Sequence, residues 1–208
     1  TLQSTVVGCY ECHSLNASAH KDNFEHFGFM INVIVSPNDC KICHSVEVDQ
    51  YSVSKKAHAL GNLQQNPLYH TFGEAITSVN EIKDGKIISL NSSEHTKAET
   101  CYACHGTAVT VKGMKKIFSK MGEIDVPDLA NWPNQGVGRI NPDGSLGACT
   151  SCHPRHSFSI EVARKPYTCF QCHLEPDVPA FEVYKESKHG NIFFSMQHEW
   201  NWNNVPWR

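Results

Sequence analysis

Apolar residues along this chain fall in short clusters rather than long runs. The longest, Phe29 to Val35, is broken by Asn32 and is far below the roughly 20 residues needed to cross a bilayer, so no membrane span is expected. Between residues 74 and 90, Ile76, Val79, Ile82, Ile87, Ile88 and Leu90 flank Lys83-Asp84-Gly85-Lys86, a tight-turn sequence. This pattern predicts a small β-hairpin. From Pro127 to Gly147, four glycines and three prolines surround Trp132, which reads as a long ordered loop. Pro179 and Gly190 read as start and stop signals of one helix, with His189 in its last turn. Short helices and turns account for the remainder. The expected fold is mainly α with extensive irregular loops and a small β-hairpin, in one domain over residues 1–208 with the hairpin inserted at 74–90.

Composition narrows the class. Hydrophobic residues make up 40% and charged residues 19% of the 208, which suits a folded chain, and a formal charge of -3 excludes a basic nucleic-acid binder. No leader precedes Thr1, so either a targeting peptide has been removed or the sequence begins inside a longer chain. Asn16-Ala17-Ser18 and Asn91-Ser92-Ser93 match the N-glycosylation tripeptide, a pattern common by chance.

The ten cysteines change the picture. All fall into five copies of Cys-x-x-Cys-His: Cys9/Cys12/His13, Cys40/Cys43/His44, Cys101/Cys104/His105, Cys149/Cys152/His153 and Cys169/Cys172/His173. With thirteen histidines in the chain, chance would place one after all five pairs roughly once in a million. A disulfide framework gives no reason for the histidine. Structural zinc would have to pair an odd number of half-sites, and a thioredoxin-like motif would occur once. Covalent haem c explains every element: two thiols join the porphyrin vinyl groups, and the adjacent histidine reaches the iron as proximal ligand. Five haems c are expected.

Removing five proximal residues from thirteen histidines leaves eight: His20, His26, His58, His70, His95, His156, His189 and His198. That exceeds the five sixth ligands required. Thioether ligands could come only from Met30, Met114, Met121 and Met196, so most irons are expected to be bis-histidine, which favours low potentials. Ionised propionates would take the formal charge from -3 to about -8. The expected partners are therefore redox proteins. Intervals of 31, 61, 48 and 20 residues between successive motifs leave too little polypeptide to wrap each porphyrin, predicting a haem-rich core in which the last two groups are neighbours.

The residues around the last three motifs carry a resemblance. The run from Gly136 to Gly190, GVGRINPDGSLGACTSCHPRHSFSIEVARKPYTCFQCHLEPDVPAFEVYKESKHG, resembles the octahaem hydroxylamine oxidoreductase family, and CYECH, PNDCKICH and CYACHGT follow in the same order upstream. The likeness includes Arg139, Asn141, Pro142, Asp143 and Gly144, which no generic cytochrome requires. It implies that the five motifs correspond to the second through sixth of the eight, that members form trimers, and that Cys101/Cys104/His105 matches the catalytic haem. Resemblance and position together nominate His26, His58, His95, His156 and His189 as distal ligands.

Two functions compete. The first is electron transfer along a row of haems, relayed between subunits of a trimer or a head-to-tail filament. Trp200, Trp202 and Trp207 near the C-terminus are then expected to pack either on another subunit or within the chain. The second is nitrogen redox chemistry, oxidation of hydroxylamine or hydrazine or reduction of nitrite, at the Cys101 haem. No histidine follows His105 until His153, whereas every other proximal histidine has a later one within 16 residues. Either an open distal site or ligation by His95 or a remote histidine fits that gap. Haem attachment to CxxCH implies an extracytoplasmic location, whether periplasmic, cell-surface or secreted.

Overall fold

The computed structural model describes residues 7–120, 122–175 and 178–207. Thr1, Met121 and the Pro176-Asp177 pair, each part of an expectation above, lie outside the described residues. The chain forms two compact units, one ending at Ala148 and one beginning at Cys149.

The first unit alternates short helices with hairpins. Its elements are α1 (Cys9–His13), the hairpin β1 (Asn23–His26) and β2 (Phe29–Asn32), α2 (Pro37–Lys41), α3 (Ser45–Ser52), α4 (Ala59–Gln65), α5 (Pro67–Thr77), the hairpin β3 (Val79–Lys83) and β4 (Lys86–Leu90), α6 (Glu94–Glu99), α7 (Cys101–His105) and the hairpin β5 (Thr110–Ser119) and β6 (Gly122–Ala130). All three strand pairs are antiparallel. The predicted hairpin is present, with Lys83 opposite Lys86. Asp84 (φ 52°) and Gly85 (φ 73°) are both left-handed, as a two-residue turn matched to strand twist requires. It is shorter than expected, because α5 runs on through Thr77.

Two features escaped the sequence reading. Phe27 and Gly28 form a second such turn between β1 and β2. The long hairpin β5–β6 absorbs Pro127 to Ala130, so the ordered loop begins only at Asn131. Pro127 is accommodated at a strand position opposite Met114, near the register shift between Val111 and Gly113.

The second unit contains α8 (Ile160–Arg164), α9 (Pro166–Phe170), α10 (Ala180–Glu186) and α11 (Lys188–Met196). The single helix expected from Pro179 to Gly190 is two. Ser187 interrupts it, and its Oγ accepts from Gly190 N–H at 3.0 Å, capping α11. His189 therefore sits in a first turn rather than a last one. Gly190 is there for space: a Cβ on it would lie 2.0 Å from the Tyr184 carbonyl oxygen.

Among the described residues only ten hydrophobic side chains are buried, while thirty-two large ones are exposed. Ile34, Leu60 and Val109 anchor the first unit, and Phe181, Phe193 and Trp202 the second. Trp200, Trp202 and Trp207 stack within the second unit, Trp202 lying 5.3 Å from Trp200 and 5.2 Å from Trp207. Intramolecular packing thus accounts for the tryptophan-rich segment, with Arg164 Nη1 donating to the Trp202 and Asn204 carbonyls.

Candidate functional site

Each Cys-x-x-Cys-His segment folds as one tight turn, but not always as α-helix. The first and third are the helices α1 and α7 themselves. The second, fourth and fifth depart from that form, Cys43 lying two residues beyond the end of α2, which carries Cys40. Cys152 follows a three-residue 3-10 helix, Cys149–Ser151, and Cys172 lies two residues beyond the end of α9, which carries Cys169. Neither Cys152 nor Cys172 is therefore in an α-helix, yet each N–H donates to the carbonyl of its partner, Cys149 or Cys169, at 3.2 Å. In the second, fourth and fifth motifs the histidine N–H also donates to the carbonyl of the first cysteine, at 2.8 Å in His44, 3.0 Å in His153 and 3.0 Å in His173. Residues three and four apart on a turn share a face, so two sulfurs and an imidazole project to one side of a very short scaffold.

Cys152 and Cys172 are half-buried, and Cys9, Cys43 and Cys169 are exposed. Among the described residues no three His, Cys, Asp or Glu side chains converge to hold a metal ion by themselves. Burial, and after it the charges of Asp39 and Glu11, raise the Cys12 thiol pKa.

Two proximal histidines are already aimed. His13 Nδ1–H donates to Asn32 O at 2.8 Å, and His105 Nδ1–H donates to Ala59 O at 3.1 Å. A carbonyl can only accept, so each ring must carry its proton on Nδ1 and present the Nε2 lone pair. This is the tautomer an iron ligand needs. His44 Nδ1 lies 3.9 Å from Glu47 Oε2, and His44 and His173 are exposed.

The other histidines separate into two groups. His20 is buried, with Nδ1 3.2 Å from Asp22 Oδ1 and Nε2 2.9 Å from Asp39 Oδ1. Desolvation opposes its charge, but the hydrogen bonds and charges of the two carboxylates outweigh it and push its pKa up to about 10. It is an imidazolium with both nitrogens engaged, which removes it as an iron ligand and leaves seven candidates. The five nominated residues are all on the outside of the fold, none of them buried. His26 ends β1 against Phe27, His58 sits at the N-cap position of α4 without a side-chain cap, its Nε2–H donating instead to Ser52 O at 2.9 Å, and His95 lies in the first turn of α6. His156 lies in the loop after the fourth motif at φ 70°, and His189 opens α11. His70 Nε2–H donates to Gln64 O at 2.6 Å.

The run singled out for its non-haem residues proves to be a buried clamp. Arg139, 1% exposed, donates from Nε to Asn141 Oδ1 (2.7 Å), from Nη1 to Asn134 O (2.9 Å) and from Nη2 to Val35 O (3.0 Å), and its guanidinium lies 5.2 Å from the Trp132 ring centre. Val137 N–H donates to Cys104 O and Gly138 N–H to His105 O, fastening the loop to the third motif. At its other end Asp143 Oδ2 accepts from Ser36 Oγ (2.6 Å) and Asn38 Nδ2 (3.0 Å), at the start of the helix bearing Cys40. Burial opposes the Asp143 charge, yet bonds from Ser145, Ser36 and Asn38 hold its carboxyl below the usual range. Sequence reasoning gave these residues no role; the two close glycines in GVGR were the available signal of backbone contact.

These features fit haem c: paired sulfurs and an imidazole on one turn, Nδ1–H satisfied by backbone, and large apolar side chains such as Tyr10, Leu15, Ile42, Val46 and Leu174 exposed within a few residues of the motifs. The chain is a multihaem c-type cytochrome.

Comparison with known proteins narrows this further. Residues 142–208 match the family model described as seven times multi-haem cytochrome CxxCH, and residues 39–126 that of cytochrome c554 and c-prime. A probable nitrite reductase-hydroxylamine oxidoreductase fusion protein of Kuenenia stuttgartiensis is 29% identical over 200 residues, covering 80% of this chain and 23% of that protein. A solved hypothetical multiheme protein shares 52% identity at a TM-score of 0.84 over 97% of this chain and 38% of its own. The reducing HAO-like protein complex of Kuenenia stuttgartiensis, at 18% identity and a TM-score of 0.51 over 95% of this chain and 27% of that one, shares the fold alone. Within the multihaem cytochromes the chain is thus similar to proteins named as hydroxylamine oxidoreductase-like. It spans about a quarter of the length of the Kuenenia fusion protein. No helix among the described residues is long and apolar enough to cross a membrane.

Proposed function

We propose that each of the five motifs carries one haem c and that the chain conducts electrons along them, as an extracytoplasmic relay working with redox partner proteins or with further copies of itself in a trimer or filament. Haem c supplies one-electron redox chemistry at a potential set by its axial ligands, hydrogen bonding and burial. The chain's own contribution is to hold cysteines and histidines on rigid single turns, and His26, His58, His95, His156 and His189 are the proposed sixth ligands. The observation that carries this reading is the pair of proximal rings, His13 and His105, fixed by backbone carbonyls in the ligand tautomer. Intact-protein mass spectrometry with electron paramagnetic resonance tests it. Five haem additions and uniformly low-spin ferric signals are expected; fewer additions would refute the count.

A second reading assigns catalysis to the Cys101/Cys104/His105 haem. Its support is the absence of any histidine between His105 and His153, together with the name of the Kuenenia relative, which mentions nitrite reductase and hydroxylamine oxidoreductase. A high-spin fraction near one fifth with turnover of nitrite or hydroxylamine would favour it over the relay.

A further inference from the structure

The third motif meets backbone where a side chain would ordinarily be. A Cβ on Gly138 would lie 2.6 Å from Leu60 N, 2.7 Å from His105 O and 2.8 Å from Ala59 N. Leu60 N belongs to the same peptide plane as the Ala59 carbonyl, the group that accepts from His105 Nδ1–H. Gly138 itself donates to His105 O at 3.1 Å. Its φ is not in the left-handed region, so glycine is required here by space and not by backbone conformation.

We propose that Gly138 is a positioning residue for the third haem: by letting residues 136–138 close onto the Ala59–Leu60 peptide, it holds the Ala59 carbonyl on His105 and thereby sets that haem's reduction potential. This rests on the haem reading of the third motif. A carbonyl accepting from Nδ1–H makes the imidazole a stronger donor to iron and favours the ferric state. Any displacement of the Ala59–Leu60 plane weakens that bond and raises the potential of this haem alone. Tyr51 tightens the same segment, its hydroxyl donating to Val137 O.

The test compares wild-type holoprotein with Gly138→Ala and Tyr51→Phe, with Gly144→Ala as control, since Gly144 is left-handed but has no atom within 4 Å of where a Cβ would stand. Intact mass gives the haem count, and potentiometric titration followed by electron paramagnetic resonance resolves individual haems. Unchanged haem content is expected, with one midpoint potential moving upward, further in Gly138→Ala than in Tyr51→Phe, and none moving in Gly144→Ala. If Gly138→Ala fails to accumulate, Tyr51→Phe decides. Full haem content with every potential unmoved, or an equal shift in the control, overturns this proposal alone. A wild-type mass lacking the third haem overturns the reading beneath it.

Discussion

His20 offers a measurement in which sign and size are both fixed beforehand. Replacing it with alanine leaves Asp22 and Asp39 facing each other in a buried site with no cation between them. Removing one partner of a buried pair costs about 3–5 kcal/mol, and that is the expected loss near pH 6. The folded pKa is raised from 6.5 to about 10, so the stabilisation is complete below pH 6.5 and disappears as pH rises through about 10. Between those limits the wild type should lose about 1.4 kcal/mol per pH unit relative to the variant. Urea unfolding of both holoproteins at pH 6, 8 and 9.5, followed by far-ultraviolet circular dichroism, reads the difference. A gap that stays constant across this range, or one that widens toward alkaline pH, refutes the buried imidazolium.

Three further outcomes follow from the same geometry. Replacing Cys101 and Cys104 together by serine should lower the covalent haem count by one, read by intact mass, without altering the other four motifs. Arg139→Met strands the acceptors Asn134 O, Val35 O and Asn141 Oδ1; at about 1–3 kcal/mol for each unsatisfied buried group, a loss of at least ~3 kcal/mol is expected in chemical denaturation. Asp143→Asn should destabilise at neutral pH, and the gap should close on acidification. The Asp143 carboxyl is depressed from 3.8, so its contribution is present above that value and lost as pH falls through the lower folded one.

Chemistry was more legible in the sequence than architecture. The Cys-x-x-Cys-His repeat encodes its own geometry, since residues three and four apart share a face wherever one tight turn forms, whether in the α-helix of Cys101 or the looser turn that ends at Cys172. The Asp84-Gly85 turn was equally readable, because two left-handed residues in succession leave few alternatives. The break at Ser187 was not: a serine inside a helical pattern becomes a cap only when its hydroxyl finds the Gly190 N–H. The clamp around Arg139 was visible as an unusual string without a visible reason. Its hydrogen bonds reach Val35, more than a hundred residues earlier, and no local pattern reports such partners. His20 resembled the other spare histidines until Asp22 and Asp39 were seen on either side of it.

The ribbon formed by β3 and β4 is exposed on every residue, with Ile82 and Ile87 paired across it. A two-stranded ribbon standing this clear of its surroundings draws little support from neighbours. Its amides should therefore trade hydrogen for deuterium sooner than those of the buried Arg139 loop, and a protease should nick the chain first near Asp84. Such a cut would fall between the second and third Cys-x-x-Cys-His motifs, leaving two motifs on the N-terminal fragment and three on the C-terminal one.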